Sequence, residues 1–141
     1  MSGVPNQPWQ RPLPELDPVS THYWEAASRG ELLIQHCPSC DARQHYPRAV
    51  CTTCGSAPEW QTASGRGTVD TFTIVRQYGM PPFATEVPYV VAIIELEEGP
   101  RMMSNITDCN VDEVRIGMAV EVHMVVAEPG VGIPFFRPAN S

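Results

Sequence analysis

Four cysteines form the group with the clearest chemistry in this sequence. They stand as two Cys-x-x-Cys pairs, Cys37/Cys40 and Cys51/Cys54, separated by ten residues. In each pair the chain can turn so that both thiolates face one ion, and two such knuckles complete a tetrahedron around zinc. Gly55 follows the second pair, where a positive φ lets backbone N–H groups turn towards the sulfurs. The spacing predicts zinc, or iron in its place, in a structural site without an open position for substrate.

Two other roles for paired cysteines fit less well. Disulfides are typical of small secreted proteins, but residues 1–18 are polar and proline-rich, unlike a signal peptide. A redox Cys-x-x-Cys needs one pair at the start of a helix, which Pro38 and the second pair disfavour. His36 and His45 lie near the cysteines, but four thiolates already fill a tetrahedron. We expect these histidines to support the ligands or to lie on the surface.

The overall composition limits the classes of function. The 141 residues suffice for one modest core with a metal-stabilised appendage. The net charge is −7, and every basic side chain other than histidine is an arginine. An acidic chain is a poor partner for phosphate backbones, which disfavours nucleic-acid binding. No apolar run approaches the roughly 20 residues of a membrane span, so we expect a soluble, cytoplasmic protein with reduced cysteines.

The N-terminal region divides into an arm and a metal unit. Residues 1–20 are dense in proline, which predicts an extended arm or linker, and Trp9 on it could dock on a partner or on the parent domain. The next residues predict a helix over 21–29, capped by the Ser20 or Thr21 side chain. Strands before and after the first knuckle complete a helix and zinc ribbon over residues 21–58.

Residues 59–141 are predicted to form a five-stranded barrel of the OB type, so the fold class is mainly β. The alternating apolar residues change from one face of the first strand to the other between Val69 and Phe72, which predicts a bulge in this strand. His123 is expected on the solvated face of its strand. An apolar loop, 79–88, precedes the second strand. The predicted strands are 68–78, 89–96, 101–107, 119–127 and 133–137.

Catalytic groupings are largely absent from the sequence. It contains no GxSxG elbow, phosphate-cradling glycine loop, HExxH or dinucleotide fingerprint. Cys109 is the one cysteine outside the metal set, and neighbouring Asp108 would raise its pKa and oppose thiolate formation. Two further hypotheses stay open beside a non-catalytic role: a nucleic-acid-binding module, and a freestanding enzyme that uses Cys109 or His123.

An ordered set of segments resembles a known family. The segments TxxYWEAASRGELLIQHCPSC, HYPRAVCTTCGS, YVVAIIELEEGPRMMSNI, RIGMAVEV and PFFRPA occur in an order similar to that of an acyl-CoA-associated family with a rubredoxin-like zinc ribbon followed by an OB-fold. The resemblance covers about residues 21–139. It implies a companion subunit of thiolase-like enzymes. One such partner is an aldolase that cleaves a steroid side-chain CoA thioester to a ketosteroid and propionyl-CoA. The others are sterol-carrier-type or other acyl-CoA thiolases.

The resemblance also carries expectations about residues and partners. The ligands of structural Zn²⁺ would be Cys37, Cys40, Cys51 and Cys54, while the thiolase-like catalytic subunit would hold the active site and this chain would help to form the acyl-CoA channel. A hydratase-like domain is a possible neighbour of the N-terminal arm. Arg43, Arg48 and Arg137 are phosphate candidates. The remaining candidates for the partner or acyl-CoA surface are Tyr23, Trp24, Phe83, Tyr89, Phe135 and Phe136.

Overall fold

The computed structural model describes residues 9–77 and 80–139, and these contain an N-terminal helix, a small sheet and a barrel. The helix is α1 (Thr21–Ser28), and two 3-10 turns lie at Phe83–Thr85 and Val111–Glu113. The strands are β1 (Leu33–His36), β2 (Arg43–Gln44), β3 (Glu59–Thr62), β4 (Arg66–Val75), β5 (Tyr89–Leu96), β6 (Arg101–Ile106), β7 (Ala119–Glu128) and β8 (Val131–Pro138). The predicted end of β4 at Tyr78 and start of the apolar loop at Gly79 lie outside the described residues.

The metal unit is built on a three-stranded antiparallel sheet in the order β2-β1-β3. The third strand, Glu59–Thr62, pairs with β1 in the register Gln35 to Trp60. The strand therefore belongs to the sheet of the metal unit, although the predicted division placed residues from 59 onward with the barrel. That division into an arm, residues 21–58 and residues 59–141 stays a prediction.

The barrel confirms the predicted mainly β, OB-type architecture. Its five strands close in the order β4-β5-β6-β8-β7. The predicted bulge is present, since the pairing of β4 with β5 shifts register between Val69 and Thr71. A bulge increases local twist and lets one long strand serve two sides of a small barrel. Accordingly, β4 pairs with β5 along most of its length and with β7 near its start.

The barrel wall is weakest between β6 and β8. These strands run parallel and share one register pair among the described residues, Ile106 with Phe136. Before that pair, the Ser104 hydroxyl donates a hydrogen bond of 3.0 Å to the Pro134 carbonyl, so a side chain bridges the two strands where no backbone ladder is recorded. The helix and the metal unit lie over this side of the barrel.

Helix α1 packs against β8 at very close range. Ala26 and Ala27 are completely buried. A Cβ atom built on Gly132 of β8 would overlap the backbone of Ala27, so glycine is required for this approach. The predicted side-chain cap from Ser20 or Thr21 is wrong, because the Asp17 carboxylate accepts the Ser20 N–H at 2.7 Å instead. No helix in the described part of the chain has the length and apolar character needed to cross a bilayer.

Candidate functional site

The four predicted metal ligands converge at one end of the small sheet. Their Sγ atoms all lie within 4.8 Å of one another. The Cys37–Cys54 and Cys40–Cys51 Sγ separations are 3.5 and 3.6 Å. A tetrahedron with Zn–S bonds of about 2.3 Å has sulfurs about 3.8 Å apart, so the cluster fits a tetrahedral ion of this size. Four thiolates would close the coordination of zinc and make it a structural cross-link.

The two knuckles repeat one backbone design. The N–H of the residue after each pair donates to the carbonyl of the first cysteine, Asp41 to Cys37 at 2.8 Å and Gly55 to Cys51 at 2.9 Å. Both donors have positive φ, 64° for Asp41 and 82° for Gly55. The predicted conformation of Gly55 is therefore confirmed, and the equivalent role of Asp41 was not foreseen.

Hydrogen bonds around the second knuckle favour thiolates. The Thr53 N–H contacts the Cys51 Sγ at 3.4 Å. Backbone hydrogen bonds from Cys54 and Thr53 lower the pKa of Cys51, and the Ser56 side chain and backbone lower the pKa of Cys54 to about 6. Because only the thiolate binds zinc, these contacts suit Cys51 and Cys54 as ligands.

Two glutamines hold the second knuckle against the sheet. Gln35, a buried β1 residue, donates to the Arg48 carbonyl at 2.9 Å and accepts the Arg48 N–H at 2.9 Å. Gln44 of β2 donates to the Gln35 side chain at 2.7 Å and accepts the Thr52 N–H at 3.0 Å. The strands thereby fix the chain that leads into Cys51.

The nearby histidines have roles outside the four-sulfur cluster. His36 lies 2.6 Å from the Asp41 carboxylate through Nε2. His45 is 7% exposed and packs between two tyrosine rings, with centroid distances of 5.6 Å to Tyr23 and 4.4 Å to Tyr46. The metal-type cluster found among the described residues contains the four cysteines and neither histidine.

A cavity of about 440 Å³ lies where the arm, the helix, the metal unit and the barrel meet. We call it the junction cavity. The barrel side comes from β5, β6 and β8 at the weak point of the wall, and α1 and the chain after β2 form the opposite side. The lining includes five of the predicted surface residues: Tyr23, Trp24, Phe83, Tyr89 and Phe135.

Sequence reasoning missed Arg11, the centre of a polar cluster at the edge of the junction cavity. Its guanidinium contacts the Glu86 carboxylate at 2.6 Å and the Asn105 side-chain oxygen at 2.8 Å. The Arg11 and Glu86 side chains are only 14% and 11% exposed. The guanidinium carbon also lies 5.1 Å from the Phe83 ring centroid and 5.4 Å from that of Phe135. The described part of the proline-rich arm, from Trp9 onward, is thus fixed to the barrel rather than standing apart from it.

Trp9 gives the arm a second attachment. Its ring meets that of Phe135 edge to face, with centroids 6.1 Å apart. The sequence had offered two docking sites for Trp9, a partner and the parent domain, and the structure shows the second. Arg11 follows Trp9 by two residues in the proline-rich arm, and this pattern is the sequence feature that could have predicted the Arg11 cluster.

Burial favours the uncharged form of two ionisable groups at the junction cavity. Burial lowers the pKa of His45 to about 4 and raises the pKa of the Tyr23 hydroxyl. The His45 Nδ1 and the Ser20 Oγ are buried without a hydrogen-bond partner in the described structure. Both atoms are enclosed by protein, so the walls that the cavity presents are mainly apolar and aromatic.

The other predicted surface residues lie outside the cavity lining. The Arg137 Nε donates to the Glu121 carboxylate at 3.2 Å, and the Arg43 Nε donates to the Gln61 oxygen at 3.0 Å. Phe136 is completely buried in the barrel core, and Phe135 and Tyr23 are only 1% and 4% exposed, so these three rings offer almost no outer surface to a partner. No ion pair of Arg48 occurs within residues 9–77 and 80–139.

The two residues considered for independent catalysis are poorly placed for it. Burial, followed by Glu113 and Asp108, raises the pKa of Cys109, which opposes thiolate formation. His123 was expected in solvent, but its side chain is 17% exposed and its Nε2 lies 2.7 Å from the Thr107 hydroxyl. That expectation was wrong because His123 pairs with Phe135 of β8, with the two ring centroids 6.0 Å apart, and faces Thr107 rather than solvent. Thr107 is itself buried, so its hydroxyl holds the His123 ring at the barrel wall.

Comparisons with known proteins match this architecture part by part. The model of the ChsH2 rubredoxin-like zinc ribbon domain matches residues 24–60, and that of the ChsH2 C-terminal OB-fold domain matches residues 60–125. A solved structure described as an Ltp2-ChsH2(DUF35) aldolase aligns with a TM-score of 0.80 and 35% identity, covering 90% of this chain and 99% of that chain.

Two curated relatives are much longer than this chain. A probable enoyl-CoA hydratase alpha subunit of Thermomonospora curvata is 36% identical over 129 residues, which are 92% of this chain and 40% of the relative. A 3-oxo-4,17-pregnadiene-20-carboxyl-CoA hydratase alpha subunit of Mycobacterium tuberculosis is 34% identical over 99 residues, which are 70% of this chain and 31% of the relative. With the helix, the four-cysteine ribbon and the OB barrel all accounted for, the chain belongs to the ChsH2 zinc-ribbon and OB-fold family.

Proposed function

We propose that this chain is the zinc-containing companion subunit of a thiolase-fold acyl-CoA enzyme, most specifically the aldolase that cleaves a steroid side-chain CoA thioester by a retro-aldol reaction. The observation that carries the proposal is the likeness to the Ltp2-ChsH2(DUF35) aldolase chain, which extends over 90% of this chain at a TM-score of 0.80. The name of the Mycobacterium tuberculosis relative, a 3-oxo-4,17-pregnadiene-20-carboxyl-CoA hydratase alpha subunit, supports a steroid thioester as the substrate class.

The chemistry of the described side chains supports a companion role. The raised pKa of Cys109 opposes nucleophilic catalysis, and the His123 Nε2 is engaged with the buried Thr107 hydroxyl. The cysteine cluster offers four ligands and no open position, so its zinc would cross-link the knuckles and hold the ribbon at a fixed angle to the barrel. In this proposal the thiolase-like subunit supplies the catalytic groups.

Exposed arginines on the ribbon are the proposed contacts for the phosphates of the CoA group. Arg48 suits this role best, because its guanidinium has no ion-pair partner in the described residues and Gln35 fixes its backbone on both sides. Arg43 is a second candidate, with its Nε held by Gln61 and an Asp41 oxygen 3.9 Å away. Arg137 would first have to leave Glu121.

Affinity purification from source cells tests the proposal. A tag on this chain should recover a thiolase-like protein, and the complex should release propionyl-CoA from a steroid side-chain CoA thioester. A panel of acyl-CoA thioesters separates the aldolase from a sterol-carrier-type or other thiolase. Cleavage of the steroid thioester by the catalytic subunit alone, at the full rate, would contradict the companion role.

Matched variants sharpen that experiment. Cys51→Ser removes a predicted zinc ligand, whereas Cys109→Ser removes the cysteine outside the cluster. We expect the first variant to lose the partner and the second to keep it. For the phosphate contact, Arg48→Ala should raise the KM for the thioester severalfold, and Arg76→Ala should not, because Arg76 is exposed on the barrel and paired with Asp112.

A second part of the proposal concerns longer relatives. The hydratase alpha subunits extend well beyond the region that this chain matches. A hydratase-like domain is therefore a candidate neighbour of the N-terminal arm. Mass spectrometry of the purified complex would detect it as an associated chain or as a longer form of this one.

A further inference from the structure

We propose that the chain carries a peptide-recognition site and that its own N-terminal arm occupies this site as a detachable ligand. The site binds an extended segment that presents an aromatic ring two residues before an arginine, as Trp9 and Arg11 do. The inference goes beyond the companion role and does not depend on it. We call this site the arm site. Its walls are side chains of the barrel and of the turn before β5: Phe83, Glu86, Tyr89, Asn105 and Phe135.

The arginine is bound through both sides of its guanidinium. The Arg11 Nη2 and Nε donate to one Glu86 oxygen at 2.6 and 3.1 Å, and Nη1 donates to the Asn105 side-chain oxygen at 2.8 Å. The Arg11 and Glu86 side chains are only 14% and 11% exposed, so the ion pair is largely withdrawn from water. A lysine lacks this planar fork of donors, so the arm site should favour arginine over lysine.

Aromatic rings complete the recognition. Trp9 meets Phe135 edge to face, with the ring centroids 6.1 Å apart. The Arg11 guanidinium carbon lies 5.1 Å from the Phe83 ring centroid and 6.0 Å from that of Tyr89. Side chains two residues apart in an extended chain point to the same side. The spacing of Trp9 and Arg11 therefore lets both side chains reach the barrel together.

The segment between these two anchors and α1 is loosely held. Residues 12–16 have no regular secondary structure, and Leu13 and Leu16 are 46% and 51% exposed. The described part of the arm is therefore attached through the side chains of Trp9 and Arg11 and not by pairing with a strand. A proline-rich segment is already extended and loses little conformational freedom on binding, which suits it to act as a peptide ligand.

The docked arm also pays one cost that release would remove. The Trp9 Nε1 is buried without a hydrogen-bond partner in the described structure. A buried donor that has lost its water and gained no acceptor weakens the docked state. The ion pair and the ring contacts hold the arm against this cost, as expected of a ligand that exchanges.

A dye-labelled peptide of residues 9–17 tests the arm site on the full chain. The double variant Trp9→Ala/Arg11→Ala removes both anchors, so it should bind the peptide in fluorescence anisotropy. An attached arm acts at an effective concentration of about 1 mM. It should therefore weaken binding of the peptide to the wild type about tenfold, for a peptide with a Kd of about 0.1 mM. Equal affinity for the two proteins, or no binding to the folded double variant, would overturn the proposal.

Changes in the peptide and in the site test its specificity. A peptide with Arg11→Lys should bind the double variant roughly tenfold more weakly, whereas Leu13→Ala, at an exposed position, should leave the affinity unchanged. Adding Glu86→Gln to the double variant should also weaken binding of the original peptide roughly tenfold. Equal binding of the arginine and lysine peptides would overturn the assigned specificity.

Two further measurements cover the remaining outcomes. If the double variant does not fold, as judged by circular dichroism and zinc content, Trp9→Ala replaces it, because this variant keeps the Arg11–Glu86 pair. It should bind the peptide more tightly than the wild type does, and equal binding would overturn the role of the aromatic anchor. A concentration-dependent dimer of the wild type in sedimentation, absent from the double variant, would overturn docking within one chain and place the arm on a second copy.

Discussion

Lowering the pH from 8 to 5 should destabilise this protein through His45. The imidazole is 7% exposed and lies between the rings of Tyr23 and Tyr46, which carry no charge over this range. Burial lowers the His45 pKa from 6.5 to about 4. The unfolded chain therefore takes up a proton near pH 6.5, whereas the folded chain resists it down to about pH 4. Stability falls as the pH drops through this window, because the unfolded state binds more protons.

The size of the effect follows from the two pKa values. At pH 5 the unfolded imidazole is almost fully protonated and the folded one is largely neutral. Linkage then gives a loss of about 2 kcal/mol in the free energy of unfolding between pH 8 and pH 5 from this one residue. The loss would approach about 3 kcal/mol near pH 4.

Urea unfolding of the wild type and of His45→Phe, at several pH values from 8 to 5, isolates this contribution. The variant keeps a ring of similar shape between the two tyrosines and cannot be protonated, so the difference between the two proteins should change by about 2 kcal/mol over the range. Zinc content should be measured at each pH, because protonated thiols release metal. A wild type and variant whose stabilities fall in parallel would refute the burial of a neutral imidazole at this junction.

Three further perturbations address the contacts that hold the modules together. Gly132→Ala should lower the free energy of unfolding by about 3 kcal/mol, because the new methyl group overlaps the backbone of α1. Its control, Gly130→Ala, lies in open space with a φ of 82° and should lower the free energy of unfolding by about 1 kcal/mol. Equal losses for the two variants in urea unfolding would count against the close approach of α1 and β8. Cys51→Ser should lower bound zinc and the near-ultraviolet circular dichroism of the ribbon, and retention of one zinc per chain would argue against four-cysteine ligation. Arg11→Met should lower the free energy of unfolding by about 3 kcal/mol, because it leaves the Glu86 carboxylate buried and unpaired. The double variant Arg11→Met/Glu86→Met should recover much of that loss. Additive losses of the two single variants would show that the two side chains are not coupled.

Local patterns in the sequence predicted the elements well. The doubled Cys-x-x-Cys spacing identified the cluster, and the apolar run 89–96 matches β5 from end to end. The change of face in the apolar alternation after Val69 correctly predicted the bulge in β4. These features depend on residues that are close together in the chain, so they can be predicted from a single sequence.

Long-range features were largely beyond the sequence. The docking of Arg11 depends on Glu86 and Asn105, which lie 75 and 94 residues away. Phe135 and Phe136 read as equivalent in the sequence, yet the first lines the junction cavity and the second lies in the barrel core, because adjacent strand residues face opposite sides. His45 was read as a neighbour of the cysteines, while its ring packs on α1.

The arm and the helix both rest on the last strand of the barrel, and this contact has a consequence for the order of folding. Trp9 meets Phe135, and Ala27 meets Gly132, so the arm and the helix find these partners only after more than a hundred further residues have been made. An eight-residue helix has little stability alone. The N-terminal region should therefore remain unstructured during synthesis and pack on β8 late. This step should be slow, because it joins residues that are far apart in the chain. Chains that stop before β8 should leave the arm and α1 open to proteases, whatever the state of the zinc site.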